Sequence, residues 1–387
     1  MAKIEREPWV DAARALSLLG VFLVNGLGYA YSPYYPLQIG PPQPIDSIWA
    51  NIVGAVVIFL LQGKAWSLLS FLFGYSLCAM ALKSRRRGIN PVNRLQSRYG
   101  KLLLLGVLHG FFIYFGDILT IYGLCGLLAS RWALAPRTKL FKVWRFFSKI
   151  IVALVVITMC SGIYSFLYGS YATDFGFDIT SNNRFGNLSG FQNFFELNSV
   201  SYLWQQFDSL FFFLPFVMWC CIAGLLARRF KLLSANLVAK RFWQKTLVPS
   251  VCFGILMLNL VLGIASFYIH QTDGYSNRIL IISSLSAWFG MALSAAFVAT
   301  GMRHINAYNK IPSWMTWLAP AGRHTLAMYL SLSVSLVLSN SAFANLHANT
   351  LTTLLVLLSA WLSAVIIARF ATRKNWRDPV ATWLSTY

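Results

Sequence analysis

Charge is what this chain has least of. Only 11% of its 387 residues are Asp, Glu, Lys or Arg, against about 25% in an ordinary soluble domain. Acids are scarcer still, with 11 Asp and Glu against 32 Lys and Arg. No long polar stretch offers room for an appended soluble module. The six cysteines (Cys78, Cys125, Cys160, Cys220, Cys221, Cys252) all fall within apolar runs. None has metal-ligand spacing or an exposed-loop setting, so no disulfide framework and no metal site is expected. Nucleic-acid motifs are also lacking. The net charge of +21 comes from basic residues gathered in short loops between apolar runs. That distribution is what membrane topology produces, and no nucleic-acid partner is expected.

What remains is apolar. Hydrophobic residues make up 57% of the chain, and its mean hydropathy is +0.60. Repeated runs long enough to cross a bilayer predict an all-α fold, a polytopic integral membrane protein forming one transmembrane domain over 1–387. Amino-terminal helices are expected over 9–135, carboxyl-terminal helices over 146–370 and a cytoplasmic tail over 371–387. Residues 9–30 read as a retained first crossing rather than a signal peptide, because Asp11 and Arg14 sit beside the apolar run. Residues 31–46 are rich in Pro, Gly and Tyr and suit an interfacial loop. Residues 47–62 either span or lie in the interface. Further crossings are read at 64–82, 99–115, 117–135, 146–168, 205–227, 246–269, 279–302, 320–339 and 349–370, with an external loop over 169–204. The total is about ten helices, or eleven if 47–62 spans.

Charge orients them. Seven basic residues and no acid lie from Lys83 to Lys101, six basic residues from Arg131 to Lys149, and six from Arg228 to Lys245. By the positive-inside rule these loops are cytoplasmic, as is the carboxyl-terminal segment. Only Lys64, Arg184 and Arg278 of the 32 cations fall on the external or intramembrane side.

Residues 99–123 (YGKLLLLGVLHGFFIYFGDILTIYG) carry two anomalies, His109 and Asp117. A titratable group at membrane depth is costly and points to function. An imidazole titrates near neutral pH, so His109 is the candidate general base. Eight residues of continuous helix would separate it from Asp117 by about 12 Å, too far for a direct hydrogen bond unless the backbone folds back at Gly110 or Gly116. Two sites at different depths are therefore expected. Asp117 also suits a cap on the helix that follows.

Four stretches, Asp11 to Arg14, Gly63 to Gly74, Gly106 to Leu119 and Gly322 to Leu330, together resemble the YeiB-like family of bacterial membrane proteins. Asp11-Ala12-Ala13-Arg14 is similar to its L-D-x-x-R-G opening. Gly63 to Gly74 (GKAWSLLSFLFG) resembles G-K-F-F-S-L-F-S-F-L-F-G. Gly106-Val107-Leu108-His109 and Gly116-Asp117-Ile118-Leu119 match G-x-x-H and G-D-I-L, and Gly322 to Leu330 resembles G-R-x-x-L-x-x-Y-L. Near the end, Asp378-Pro379-Val380-Ala381 departs from the family's G-P-x-E. The family is similar in turn to the transmembrane acyltransferase superfamily. That resemblance implies a multi-pass protein of the bacterial inner membrane that transfers an acyl group. The donor would be cytoplasmic acetyl coenzyme A or another acyl-CoA, and the acceptor a cell-envelope glycan or lipid-linked carbohydrate. Bacterial members often place an Arg and a His in the first crossing; here Arg14 is present, but Asn25 takes the partner position and cannot act as a base.

On this reading His109 and Asp117 are catalytic. Arg14, Asn25, Lys64, Arg98, Arg323, His324 and Tyr329 are candidates for binding substrate or donor. Each has a plainer reading. Arg14 pairs with Asp11 one turn earlier, Lys64 snorkels to the headgroups, Arg98 serves topology, Arg323 and His324 anchor a cytoplasmic helix start, and Tyr329 packs. A transporter or flippase using His109 and Asp117 as a proton relay is the alternative to an enzyme.

Overall fold

A computed structural model describes residues 7–31, 60–61, 63–168, 190–234, 236–269, 275–308, 310–342 and 350–386. The described residues form helices and their connections, with no strand among them. In order these are α1 (Pro8–Tyr31), α2 (Lys64–Arg86), α3 (Pro91–Phe112), α4 (Leu119–Ser130), α5 (Arg137–Tyr168), α6 (Gly190–Phe211), α7 (Phe213–Arg229), α8 (Leu237–Ile269), α9 (Tyr275–Tyr308), α10 (Ser313–Arg323), α11 (Thr325–Ala342), α12 (Thr350–Arg373) and α13 (Pro379–Trp383).

Small residues set the packing. A Cβ on Gly74 of α2 would lie 1.9 Å from the carbonyl oxygen of Cys221, and one on Gly224 of α7 would lie 2.0 Å from that of Phe71. The α2 and α7 backbones therefore touch, as small-residue interfaces allow in membrane bundles. Gly106 and Gly123 do the same for α3 and α4, meeting the backbones of Thr120 and Leu103. One continuous apolar core runs from Trp9 on α1 through Leu72, Tyr99 and Leu225 to Val365 on α12.

The outside is apolar as well. On α12 the exposed side chains Leu351, Leu355, Leu358, Leu362 and Ile366 fall on one helical stripe. Among the described residues three helical segments, Pro8–Leu27, Lys64–Arg86 and Leu351–Arg373, are long and apolar enough to cross a membrane, and a bent pair brings the number to four. That is fewer than the ten expected from sequence. Among the described residues several expected crossings are short or broken: α4 holds only 12 residues, and His324 separates α10 from α11.

Two sequence expectations are corrected in the same region. The external loop over 169–204 gives way from Gly190 onward to helix α6. The single crossing at 205–227 is a helix pair bent by 55° at Phe212. The placement of 47–59 lies outside the described residues.

Candidate functional site

The site begins with an interruption. Helix α3 ends at Phe112, and the N–H groups of Ile113 and Tyr114 both donate to the carbonyl oxygen of His109, at 2.9 and 3.0 Å. The chain then turns and starts α4 at Leu119. Asp117 Oδ2 accepts from the backbone N–H of Thr120 at 2.8 Å and from its hydroxyl at 2.7 Å, satisfying a free donor of the helix start.

This fold-back brings His109 Nδ1 to 2.9 Å from Asp117 Oδ1, with both side chains buried. The expectation of two separated sites is therefore overturned. The 12 Å separation assumed one unbroken helix, and the break over 113–118 removes it. Thr120 donates twice to the Asp117 carboxyl, and a carboxylate there is best matched by the His109 tautomer that carries its proton on Nδ1. In that tautomer His109 Nε2 carries the lone pair, and among the described residues it is buried without a hydrogen-bond partner. A buried base held by a carboxylate and left open at its second nitrogen has the geometry of an oriented general base.

Helix α6 holds this turn in place. Asn198 gives its amide to the carbonyl oxygens of Gly110 and Phe111, each at 2.8 Å, and accepts from Phe115 N at 2.8 Å. Four residues on, the Tyr202 hydroxyl lies 2.9 Å from Thr120 Oγ1. Four further, Gln206 Nε2 donates to the carbonyl oxygen of Asp117 at 3.2 Å. Sequence reading missed all three, together with Thr120. Their signal was present in the spacing 198, 202, 206, one helical face, but the first two fell in the stretch taken for a loop and the third in the crossing expected after it.

Tyr329 of α11 joins the pair to a cavity. Its ring centroid is 5.3 Å from that of His109, and its hydroxyl accepts from Ile118 N at 3.3 Å. Tyr329 thus does more than pack. It also lines a cavity of about 1320 Å³, whereas His109 lies behind it and does not. Basic residues surround this space: Lys83, Arg86 and Arg87 from the end of α2, Arg98 from α3, and Arg14, Arg228, Arg323 and Arg377. The three acids on the wall are engaged. Asp11 pairs with Arg14 and lies 3.8 Å from Arg323 Nε. Glu7 accepts from Tyr75 and lies 3.7 Å from Arg228. Asp378 accepts from Ala327 N and Ala381 N.

The structure therefore brings Arg14, Arg98, Arg323, His324 and Tyr329 to one cavity, while His109 and Asp117 lie behind Tyr329 and outside its lining. Arg14 makes the predicted pair with Asp11 and also donates to Ser76. His324 sits between α10 and α11, its Nε2 3.2 Å from Thr372 Oγ1. Lys64 and Asn25 are not among the lining residues. Lys64 stands at the start of α2, where its carbonyl oxygen accepts from Ser294 at 2.8 Å. Asn25 is half-buried on α1, beside Gly26, whose backbone packs on Leu357. No group of three or more His, Cys, Asp or Glu able to hold a metal occurs among the described residues.

No family model matches the chain. It is 32% identical over 144 residues to the uncharacterized protein YxaH of Bacillus subtilis (strain 168), a match that covers 36% of this chain and 35% of that protein. It is 34% identical over 134 residues to the uncharacterized protein YeiB of Escherichia coli (strain K12), covering 33% of this chain and 31% of that one. A third relative, an uncharacterized 39.9 kDa protein from the amylase 3′ region of Bacillus acidopullulyticus, is 29% identical over 154 residues, covering 39% and 40%. The matches span 31–40% of the length of these curated relatives.

Proposed function

Taking the chain as a YeiB-like protein, we propose that it is a membrane acyltransferase. It takes an acyl group from a cytoplasmic acyl-CoA, acetyl coenzyme A first among them, and delivers it to a hydroxyl or amine of an envelope glycan or lipid-linked acceptor. The protein sits in the bacterial inner membrane with the carboxyl-terminal segment cytoplasmic. The carrying observation is the buried His109–Asp117 pair, separated from a basic cavity by Tyr329, with His109 Nε2 unpartnered among the described residues.

The cavity suits such a donor. It exceeds the roughly 300–1,000 Å³ of common small-molecule pockets, and eight cations face three engaged acids. Arg86, Arg87, Arg98 and Arg377 supply donors for phosphate oxygens. Leu69, Phe73, Leu102 and Leu119 line apolar wall. Rotation of the Tyr329 side chain opens the path to His109. There His109 Nε2 takes the proton of the acceptor hydroxyl as its oxygen attacks the acyl carbon. The C–S bond breaks, and the proton passes to the departing thiolate, leaving an ester and a free thiol. Asp117 holds the ring and stabilises the imidazolium formed midway, as an orienting carboxylate does in hydrolase triads.

A second reading, a proton-coupled transporter or flippase, draws on one observation. His109, Asp117, Thr120 and Tyr202 form a continuous hydrogen-bonded chain, which suits proton transfer at membrane depth.

Purified protein in lipid nanodiscs, given radiolabelled acetyl coenzyme A and cell-envelope extract, separates the two. The enzyme reading expects labelled acceptor that is lost in His109→Ala. Neither transfer nor thioester hydrolysis depending on His109 would sink it, and His109-dependent proton-coupled flux in liposomes would then establish the transporter.

A further inference from the structure

Acyl transfer needs more than a base. As a nucleophile adds to a thioester carbonyl, the carbonyl oxygen takes up negative charge, and donors placed for that charge supply much of the rate. Backbone donors around His109 are already engaged: Ile113 N and Tyr114 N on the carbonyl oxygen of His109, Phe115 N on Asn198, and Thr120 N on Asp117. A side chain that reaches both the cavity and the histidine is therefore the donor to look for.

Tyr329 is such a side chain. It is 6% exposed, lines the cavity, and holds its ring centroid 5.3 Å from that of His109. Other hydroxyls on the cavity wall give their protons to backbone carbonyl oxygens: Ser76 to Leu72 at 2.6 Å, Thr325 to Gly322 at 2.7 Å, and Tyr122 to Trp66 at 3.3 Å. The phenol of Tyr329 receives instead. Its oxygen accepts from Ile118 N at 3.3 Å, a bond that occupies a lone pair and leaves the O–H proton to be given. Donation into the oxygen polarises that O–H and strengthens it as a donor. Ser333 is a polar neighbour of the phenol, and its own proton goes to the carbonyl oxygen of Tyr329 at 2.9 Å. A developing oxyanion is a better acceptor than a serine hydroxyl, because charge-assisted bonds are roughly twice as strong as neutral ones.

We propose that the Tyr329 hydroxyl is a catalytic donor to the acyl carbonyl oxygen, a role that rests on the cavity being the acyl-donor site of the proposed transferase. As the acceptor oxygen adds to the acyl carbon, His109 Nε2 takes its proton and the carbonyl electron pair moves onto oxygen. There the Tyr329 O–H holds the charge by a hydrogen bond and keeps its proton. The pair then returns to restore C=O, the C–S bond breaks, and His109 gives the proton to the departing sulfur. The rotation that uncovers His109 keeps the phenol on the cavity wall, beside the carbon under attack.

Phosphatidylcholine nanodiscs holding wild type or Tyr329→Phe test this. Phenylalanine keeps the ring beside His109 and removes only the hydroxyl. Calorimetric titration with coenzyme A is expected to give the same affinity for both. Transfer from radiolabelled acetyl coenzyme A to cell-envelope extract is expected to fall by about 10²–10³, the loss found when one oxyanion donor is removed. A second readout needs no turnover. Acetyl coenzyme A labelled with carbon-13 at its carbonyl is bound without extract. On wild type its infrared carbonyl stretch is expected at lower frequency than in the free thioester, and Tyr329→Phe loses that shift. Transfer by Tyr329→Phe at or above the wild-type rate overturns the donor role and leaves the His109-dependent transferase standing. An unshifted carbonyl on wild type overturns it too, whether or not the variant folds. If wild type neither binds coenzyme A nor transfers from its acetyl thioester, the transferase reading falls and the donor role falls with it.

Discussion

Asn198 Nδ2 lies 2.8 Å from the carbonyl oxygen of Gly110, tying the middle of α6 to the frayed end of α3. The same side chain satisfies Phe111 O and Phe115 N, so a single buried amide closes three backbone groups left open where α3 stops. Replacing it with Leu leaves them unpaired, at about 1–3 kcal/mol for a buried polar group without a partner. Asn198→Leu is expected to lower the melting temperature in detergent. It should also cut His109-dependent transfer further than the loss of folded protein explains, because the turn that carries Asp117 loosens. A variant with wild-type melting would show that the amide does not hold this turn.

Two glycines make opposite predictions. A Cβ on Gly322 would lie 1.7 Å from the carbonyl oxygen of Asp11, so Gly322→Ala must push α10 off α1. A cost of about 1–3 kcal/mol is expected from overpacking, along with a disturbed Asp11–Arg14 pair at the cavity wall. Gly100, inside α3, has nothing within 4 Å of such a Cβ. Gly100→Ala should stabilise by about 0.5–1 kcal/mol through helix propensity alone. Denaturation of the two variants side by side decides whether backbone contact, rather than glycine content, governs this bundle.

The sequence carried the all-helical class, the first helix over 9–30, the Asp11–Arg14 pair and the pair of anomalies at 109 and 117. Each is a local signal: an apolar run, a spacing of three, an ionisable group among Leu and Phe. What it hid was tertiary. His109 meets Asp117 because backbone near-contact at Gly106 and Gly123 lets α4 fold against α3, and no period in a linear string reports that approach. Helix α6 was obscured for a different reason. Asn198, Tyr202 and Gln206 turn their polar groups inward toward a polar turn, reversing the usual amphipathic reading in which the polar face is the wet one. Tyr329 and Asp378 gained their roles from partners 211 and 51 residues away.

Glu7 provides a pH dependence. Burial raises its carboxyl above the ordinary value of 4.5, and the opposing hydrogen bond from Tyr75 and charge of Arg228 do not cancel that effect. The folded state thus binds this proton more tightly than the unfolded one. The resulting stability is complete below pH 4.5 and is lost as pH rises through the raised folded value. The difference in melting temperature between wild type and Glu7→Gln is therefore expected to shift in favour of wild type as pH falls from about 7 toward 5. A difference that stays flat across that window would mean that burial of Glu7 has no net cost.

The pairing of His109 with Asp117 predicts a tautomer as well as a rate. With Nδ1–H given to Asp117, the Nε2 resonance of His109 should have the nitrogen-15 shift of an unprotonated ring nitrogen. It can be assigned among the five histidines by its disappearance in His109→Gln. In Asp117→Asn the new amide keeps Thr120 capped through its oxygen but turns an N–H toward His109 Nδ1. That favours the opposite tautomer and puts the proton on Nε2. Transfer should then fall by about 10³–10⁴, the scale seen when a triad carboxylate is replaced by its amide, with little change in melting temperature. The two readouts are tied. A slow variant that keeps the Nδ1–H tautomer would mean that Asp117 acts by charge alone. A fast variant with the switched tautomer would remove His109 Nε2 from the chemistry.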